Sequence, residues 1–136
     1  MQFRRARRFA WMSVLLLMAS AGSSAEATDL SGTWKGHWKS HTNGHEGPMK
    51  ATFKKINASQ YRVRFCGRFL EVIPFCYTET FEVLCDDGQT VQLQASSKLC
   101  FFGNFHCRAA ANCCHFNANY SSEKDQGYFQ MSRTGY

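Results

Sequence analysis

The chain has 136 residues, with 16 Lys+Arg against 10 Asp+Glu and a formal charge of +6. Four of those arginines, Arg4, Arg5, Arg7 and Arg8, stand in the first 25 residues, where no acid occurs, so residues 26–136 hold 12 basic and 10 acidic side chains, a net of +2. Such a balance gives no charge footprint for binding nucleic acid, and a chain this short has room for one domain with one modest core.

The chain opens with the three parts of an export signal: the arginines, an apolar run from Phe9 to Met18, and small residues up to Ala25. The run is shorter than the roughly 20 residues a membrane helix needs. Residues 1–25 are therefore expected to be a cleaved secretory signal peptide, with the cut after Ala21 or Ala25, and residues 26–136 a single domain without a membrane span. The expected destination is secretion, or the periplasm and cell envelope.

Beyond the leader the pattern is period two, the mark of strands with one dry face and one wet face. Residues 31–39 alternate Trp34, Gly36 and Trp38 with Lys35, His37 and Lys39; residues 48–56 set Met49, Ala51 and Phe53 against Lys50, Thr52 and Lys54. In residues 60–69, Tyr61, Val63, Phe65, Gly67 and Phe69 alternate with Arg62, Arg64, Cys66 and Arg68. Further strands are predicted at 75–84, 89–97, 103–111, 115–121 and 126–133. The links between them are short and polar, and links of that length can join only antiparallel neighbours. The predicted fold is all-β: an up-and-down meander of about eight antiparallel strands closed into a small barrel, which leaves no exposed edge.

Seven cysteines (Cys66, Cys76, Cys85, Cys100, Cys107, Cys113 and Cys114) lie after the leader. In an exported chain all are disulfide candidates. The odd number leaves at least one thiol free or available for a disulfide-linked dimer. Cys113 and Cys114, read as strand neighbours, are expected to point to opposite sides and to bridge to different partners.

Leu30-Ser31-Gly32-Thr33-Trp34, at the start of the first strand, resembles the Gly-x-Trp signature of the calycin superfamily. The last strand, Gly127-Tyr128-Phe129-Gln130-Met131-Ser132-Arg133, is similar to that of small bacterial lipocalin-like domains. The resemblance implies that Trp34 closes one end of the barrel under Arg133. Parity places Arg133 inward with Phe129 and Met131, where a cation needs an aromatic face or a polar partner.

Trp38, Phe53, Tyr61, Phe65, Tyr77, Phe81, Phe116 and Tyr120 point inward and would either line a pocket for a small apolar ligand or fill the barrel. Glu79 is inward by parity and belongs to the same candidate lining, where it would anchor a cationic ligand unless a rim position or a pairing with Arg133 explains it. On the outer face, Lys50, Lys54, Arg62, Arg64 and Arg68 form a ladder suited to an anionic envelope polymer, because no acid occurs from Gly47 through Leu70. That face lacks the aromatic platforms that stack bases, which excludes nucleic acid a second time. His37, His41 and His45 recur every four residues, but on a strand and loop that spacing aligns nothing. Cys100, His106, Cys107, Cys113, Cys114 and His115 are the set from which a soft metal site could be drawn. No nucleophile elbow, zinc-protease helix or phosphate loop occurs. The expectation is a non-enzymatic binding or envelope-interaction module, with no cofactor and no resident metal.

Overall fold

In the computed structural model, residues 26–100 and 102–136 are described. The predicted signal peptide, 1–25, lies outside them. The alternating segments form eight strands: β1 (Gly32–Ser40), β2 (Glu46–Asn57), β3 (Gln60–Phe69), β4 (Ile73–Asp86), β5 (Val91–Leu99), β6 (Gly103–Ala111), β7 (His115–Ser122) and β8 (Gln126–Gly135). Each pairs antiparallel with the next, and β8 returns to β1, with Trp34 opposite Arg133 and Trp38 opposite Phe129. The meander is therefore a closed barrel. No helix among the described residues is long and apolar enough to cross a membrane.

Several of the links begin with a side chain that satisfies the turn's own amides. Asn57 Oδ1 accepts the Ser59 N–H at 2.9 Å, and Asp87 Oδ1 accepts those of Gln89 and Thr90 at 2.8 and 2.6 Å. Those two N–H donors hold the Asp87 carboxyl below the usual carboxylate range. Between β6 and β7, Asn112 Oδ1 accepts the N–H groups of Cys114 and His115 at 2.8 and 2.7 Å. Cys113 and Cys114 thus sit in a turn and not on a strand, and the opposite-sides expectation fails because Asn112 curls the backbone around both residues.

Eight strands enclose an interior just wide enough for side chains to fill, and aromatic rings fill this one. At the end that holds the N-terminus of β1, Phe116 of β7 meets Trp34 of β1 at 6.4 Å between centroids, Phe53 of β2 at 5.2 Å and Phe81 of β4 at 6.0 Å. In the middle, Phe65 of β3 reaches Phe129 of β8 at 5.5 Å. Towards the far end, Phe105 stacks on Tyr120 at 5.8 Å, and Tyr120 stacks on Phe129 at 4.8 Å. Phe116–Phe81 and Phe65–Phe129 join strands on opposing walls, so the core is the barrel's own interior.

One stretch of wall is incomplete. The register of β4 with β5 runs from Asp86 opposite Val91 to Glu82 opposite Gln94 and goes no further. The remaining β4 residues, 73–81, pair only with β3, and β5 from Ala95 onward pairs only with β6.

Candidate functional site

Trp34 is fully buried, and its indole N–H donates to the Leu30 carbonyl at 3.0 Å, which folds the segment before β1 across that end of the barrel. The Arg133 guanidinium lies 4.9 Å from the Trp34 ring centroid and 4.6 Å from that of Tyr136, and its Nη2 donates to the Asp29 carbonyl at 2.5 Å. A cation held between two ring faces is stabilised electrostatically while its stem stays dry. Tyr136 has no signal in the sequence because it lies beyond the last alternating residue.

Trp38, Phe53, Tyr61, Phe65, Phe81, Phe116 and Tyr120 are buried inside the barrel, and Tyr77 lies half-buried against them, 5.2 Å from Phe65. They pack on one another as a filling. Glu79 is inside too, 3% exposed, and accepts a hydrogen bond from the Ser97 hydroxyl at 2.5 Å. The rim and Arg133 explanations both fail: Arg133 is engaged with Asp29 and Trp34, while Glu79 and Ser97 face each other where the β4–β5 ladder has stopped. Burial raises the Glu79 carboxyl above its ordinary range, with the Ser97 bond acting the other way. Burial also pushes the neighbouring Cys107 thiol up to about 12, with the Glu79 carboxylate adding to the shift. Ser97 is legible in the sequence as a polar residue at an inward position after Val91, Leu93 and Ala95.

The outer wall carries the charge. Lys35 stands opposite Lys50, which stands opposite Cys66, which in turn faces Cys76. The next row is Thr33, Thr52, Arg64 and Thr78, and beyond it come Lys54, Arg62 and Thr80. The predicted ladder of Lys50, Lys54, Arg62 and Arg64 is thus one continuous face, joined by Lys35 from β1. The only ion pair among the described residues is Lys39 with Glu46 at 3.4 Å, so none of these cations has a carboxylate within pairing distance there. Arg68 lies towards the other end of the same wall and borders a groove of about 520 Å³ with Lys35 and Lys50. The Cys66–Cys76 bridge, Pro48 and Pro74 line its floor, and Gly36 and Gly67 thin the wall there. Neither glycine has room for a side chain: a Cβ at Gly36 would stand 1.8 Å from the Gln130 carbonyl oxygen, and one at Gly67 would stand 2.8 Å from the Phe75 ring.

Of the seven cysteines only Cys66 and Cys76 are bridged, directly opposite each other on β3 and β4. Cys85, Cys100, Cys107, Cys113 and Cys114 are free thiols. The barrel separates them, with Cys107 inside, Cys100 between β5 and β6, and Cys113 and Cys114 between β6 and β7. The same separation disperses the soft-metal set, and no three His, Cys, Asp or Glu side chains converge among the described residues. His37 and His41 lie against Tyr128, and His45 lies against Phe69.

No protein-family model and no curated protein matches the chain. Among solved structures it is similar to a de novo designed fluorescence-activating β-barrel, with 17% identity and a TM-score of 0.51, covering 76% of this chain and 91% of that one. At that identity the likeness is one of fold.

Proposed function

We propose that the chain is an exported, non-catalytic, calycin-like barrel that works through its outside, holding an anionic envelope polymer against the wall formed by β1 to β4. The observation that carries this reading is the row structure of that wall: Lys35, Lys50, Lys54, Arg62 and Arg64 interleave with threonines, and no carboxylate among the described residues lies within pairing distance. Strands lie about 4.8 Å apart, so these cations repel one another, and a partner with closely spaced phosphates, sulfates or carboxylates relieves the repulsion. Threonine hydroxyls add neutral donors to the same surface. The filled interior supports the choice, since an apolar ligand inside would first have to displace Tyr77 or Phe105. The Trp34–Arg133 stack supports the calycin-like reading of the scaffold, and the n-region arginines support export.

The test is retention on a sulfated polysaccharide matrix at low ionic strength. The parent should elute at clearly higher salt than a variant in which Arg62, Arg64 and Arg68 are serine, with both showing the same β-sheet circular dichroism. Identical elution would defeat the proposal.

A further inference from the structure

The Asn112–His115 turn holds two sulfur atoms side by side. Cys113 and Cys114 are both exposed, with their Sγ atoms 3.0 Å apart. The turn is fixed from three directions: Asn112 Oδ1 takes the amides of Cys114 and His115, Asn112 N–H donates to the His115 carbonyl at 2.9 Å, and Arg133 N–H donates to the Cys114 carbonyl at 2.9 Å. The other cysteines lie elsewhere on the barrel. Cys66 and Cys76 already hold each other, Cys107 is inside, and Cys85, on β4, is separated from this turn by β5 and β6.

We propose that Cys113 and Cys114 form a reversible dithiol–disulfide site, whose exchange partner is a low-molecular-weight or protein disulfide. One thiolate of the pair attacks a sulfur of the incoming disulfide and releases one thiol from it. The second sulfur then attacks the protein-side sulfur of the mixed disulfide, closing an eight-membered ring and releasing the second thiol. The protein loses two S–H hydrogens and gains one S–S bond, while the oxidant's S–S bond becomes two thiols.

The position in the chain makes the bridge easy to reopen. Adjacent Cα atoms are about 3.8 Å apart across a trans peptide, below the roughly 4.4–6.8 Å that bridged cysteines usually span, and departures from that span make a bridge more reducible. Cys66 and Cys76, on separate strands, hold their Cα atoms 4.2 Å apart, much nearer that span, and no peptide bond ties them directly. The Sγ–Sγ hydrogen bond raises the Cys114 thiol above its ordinary value, while the Arg133 charge acts in the opposite sense.

The site is tested on the folded protein, equilibrated in glutathione buffers from reducing to oxidising, alkylated and digested with trypsin. Cleavage after Arg108 and Lys124 releases residues 109–124, which contain Cys113 and Cys114 and no other cysteine. The expected result in oxidising buffer is this peptide unalkylated and lighter by two hydrogens. In moderately reducing buffer it should become doubly alkylated while Cys66–Cys76 stays closed. In Cys114→Ser the closed form should disappear and Cys113 should carry glutathione instead. The proposal is overturned if the parent peptide is alkylated in every buffer, carries glutathione at both sulfurs, or is joined to a peptide containing Cys85 or Cys100.

Discussion

Glu79 is the only acidic or basic residue buried inside the barrel among the described residues, and its environment sets a direction that can be measured. Its folded-state pKa is raised by burial, so the native state holds the proton more tightly than the unfolded chain does. Its contribution to stability is therefore fully present below the ordinary glutamate pKa and is lost as pH rises through the raised value. Glu79→Gln mimics the protonated form and keeps an acceptor for Ser97. The urea midpoint of Glu79→Gln should exceed that of the parent by an amount that grows as pH rises above the ordinary glutamate pKa and levels off once pH has passed the raised value. Taking the difference removes the opposing effect of Asp29 and Asp87, whose lowered carboxyls follow the reverse course. A difference that stays constant with pH would show that Glu79 is not desolvated in solution. The inward position of Glu79 can be read from parity alone. That Ser97 is its partner cannot be read so, because pairing the two requires knowing that the β4–β5 ladder ends before it reaches them.

Element by element, the strands are legible because Tyr61, Val63 and Phe65 alternate with arginines over short polar links, and only an antiparallel meander satisfies both features. The turn holding Cys113 and Cys114 falls in the gap between the predicted strands 103–111 and 115–121, but strand parity cannot say how a turn aims its side chains; the residue that sets this is Asn112, whose short amide side chain starts the turn. Barrel closure depends on how near β8 comes to β1, which no local pattern reports. Gly36 marks that approach. A methyl group there would meet the Gln130 carbonyl at 1.8 Å, and because the obstacle is backbone the two strands would have to part. Gly36→Ala should destabilise the barrel by about 1–3 kcal/mol, the usual range for overpacking. At Gly135, on the same pair of strands, an added Cβ would have nothing within 4 Å, and Gly135→Ala should lie within about 0.5 kcal/mol of the parent. Chemical denaturation of the two variants checks this, and equal midpoints would remove Gly36 from the closure argument.

For the whole molecule, the net charge of residues 26–136 hides the distribution that matters. Lys35, Lys50, Lys54, Arg62 and Arg64 share one wall, and the lone ion pair of the described residues, Lys39–Glu46, lies apart from them. Like charges directly opposite on neighbouring strands, as Lys35 and Lys50 or Lys54 and Arg62 are, each cost some tenths of a kcal/mol. A wall that opposes folding in this way should show its cost most clearly where screening is weakest. The Debye length shrinks from about 30 Å at 0.01 M salt to about 8 Å at 0.15 M, so the parent's urea midpoint should rise over that range. The triple serine variant at Arg62, Arg64 and Arg68 has less repulsion to screen. It should be more stable than the parent at 0.01 M, by on the order of 1 kcal/mol, and should gain less from added salt. A soluble sulfated polysaccharide should raise the parent's midpoint at low salt and leave the variant's nearly unchanged, because a partner that binds only the native state adds its binding free energy to folding. If both proteins share one salt slope, the charged wall imposes no folding cost, and relief of repulsion no longer explains why an anionic polymer would choose it.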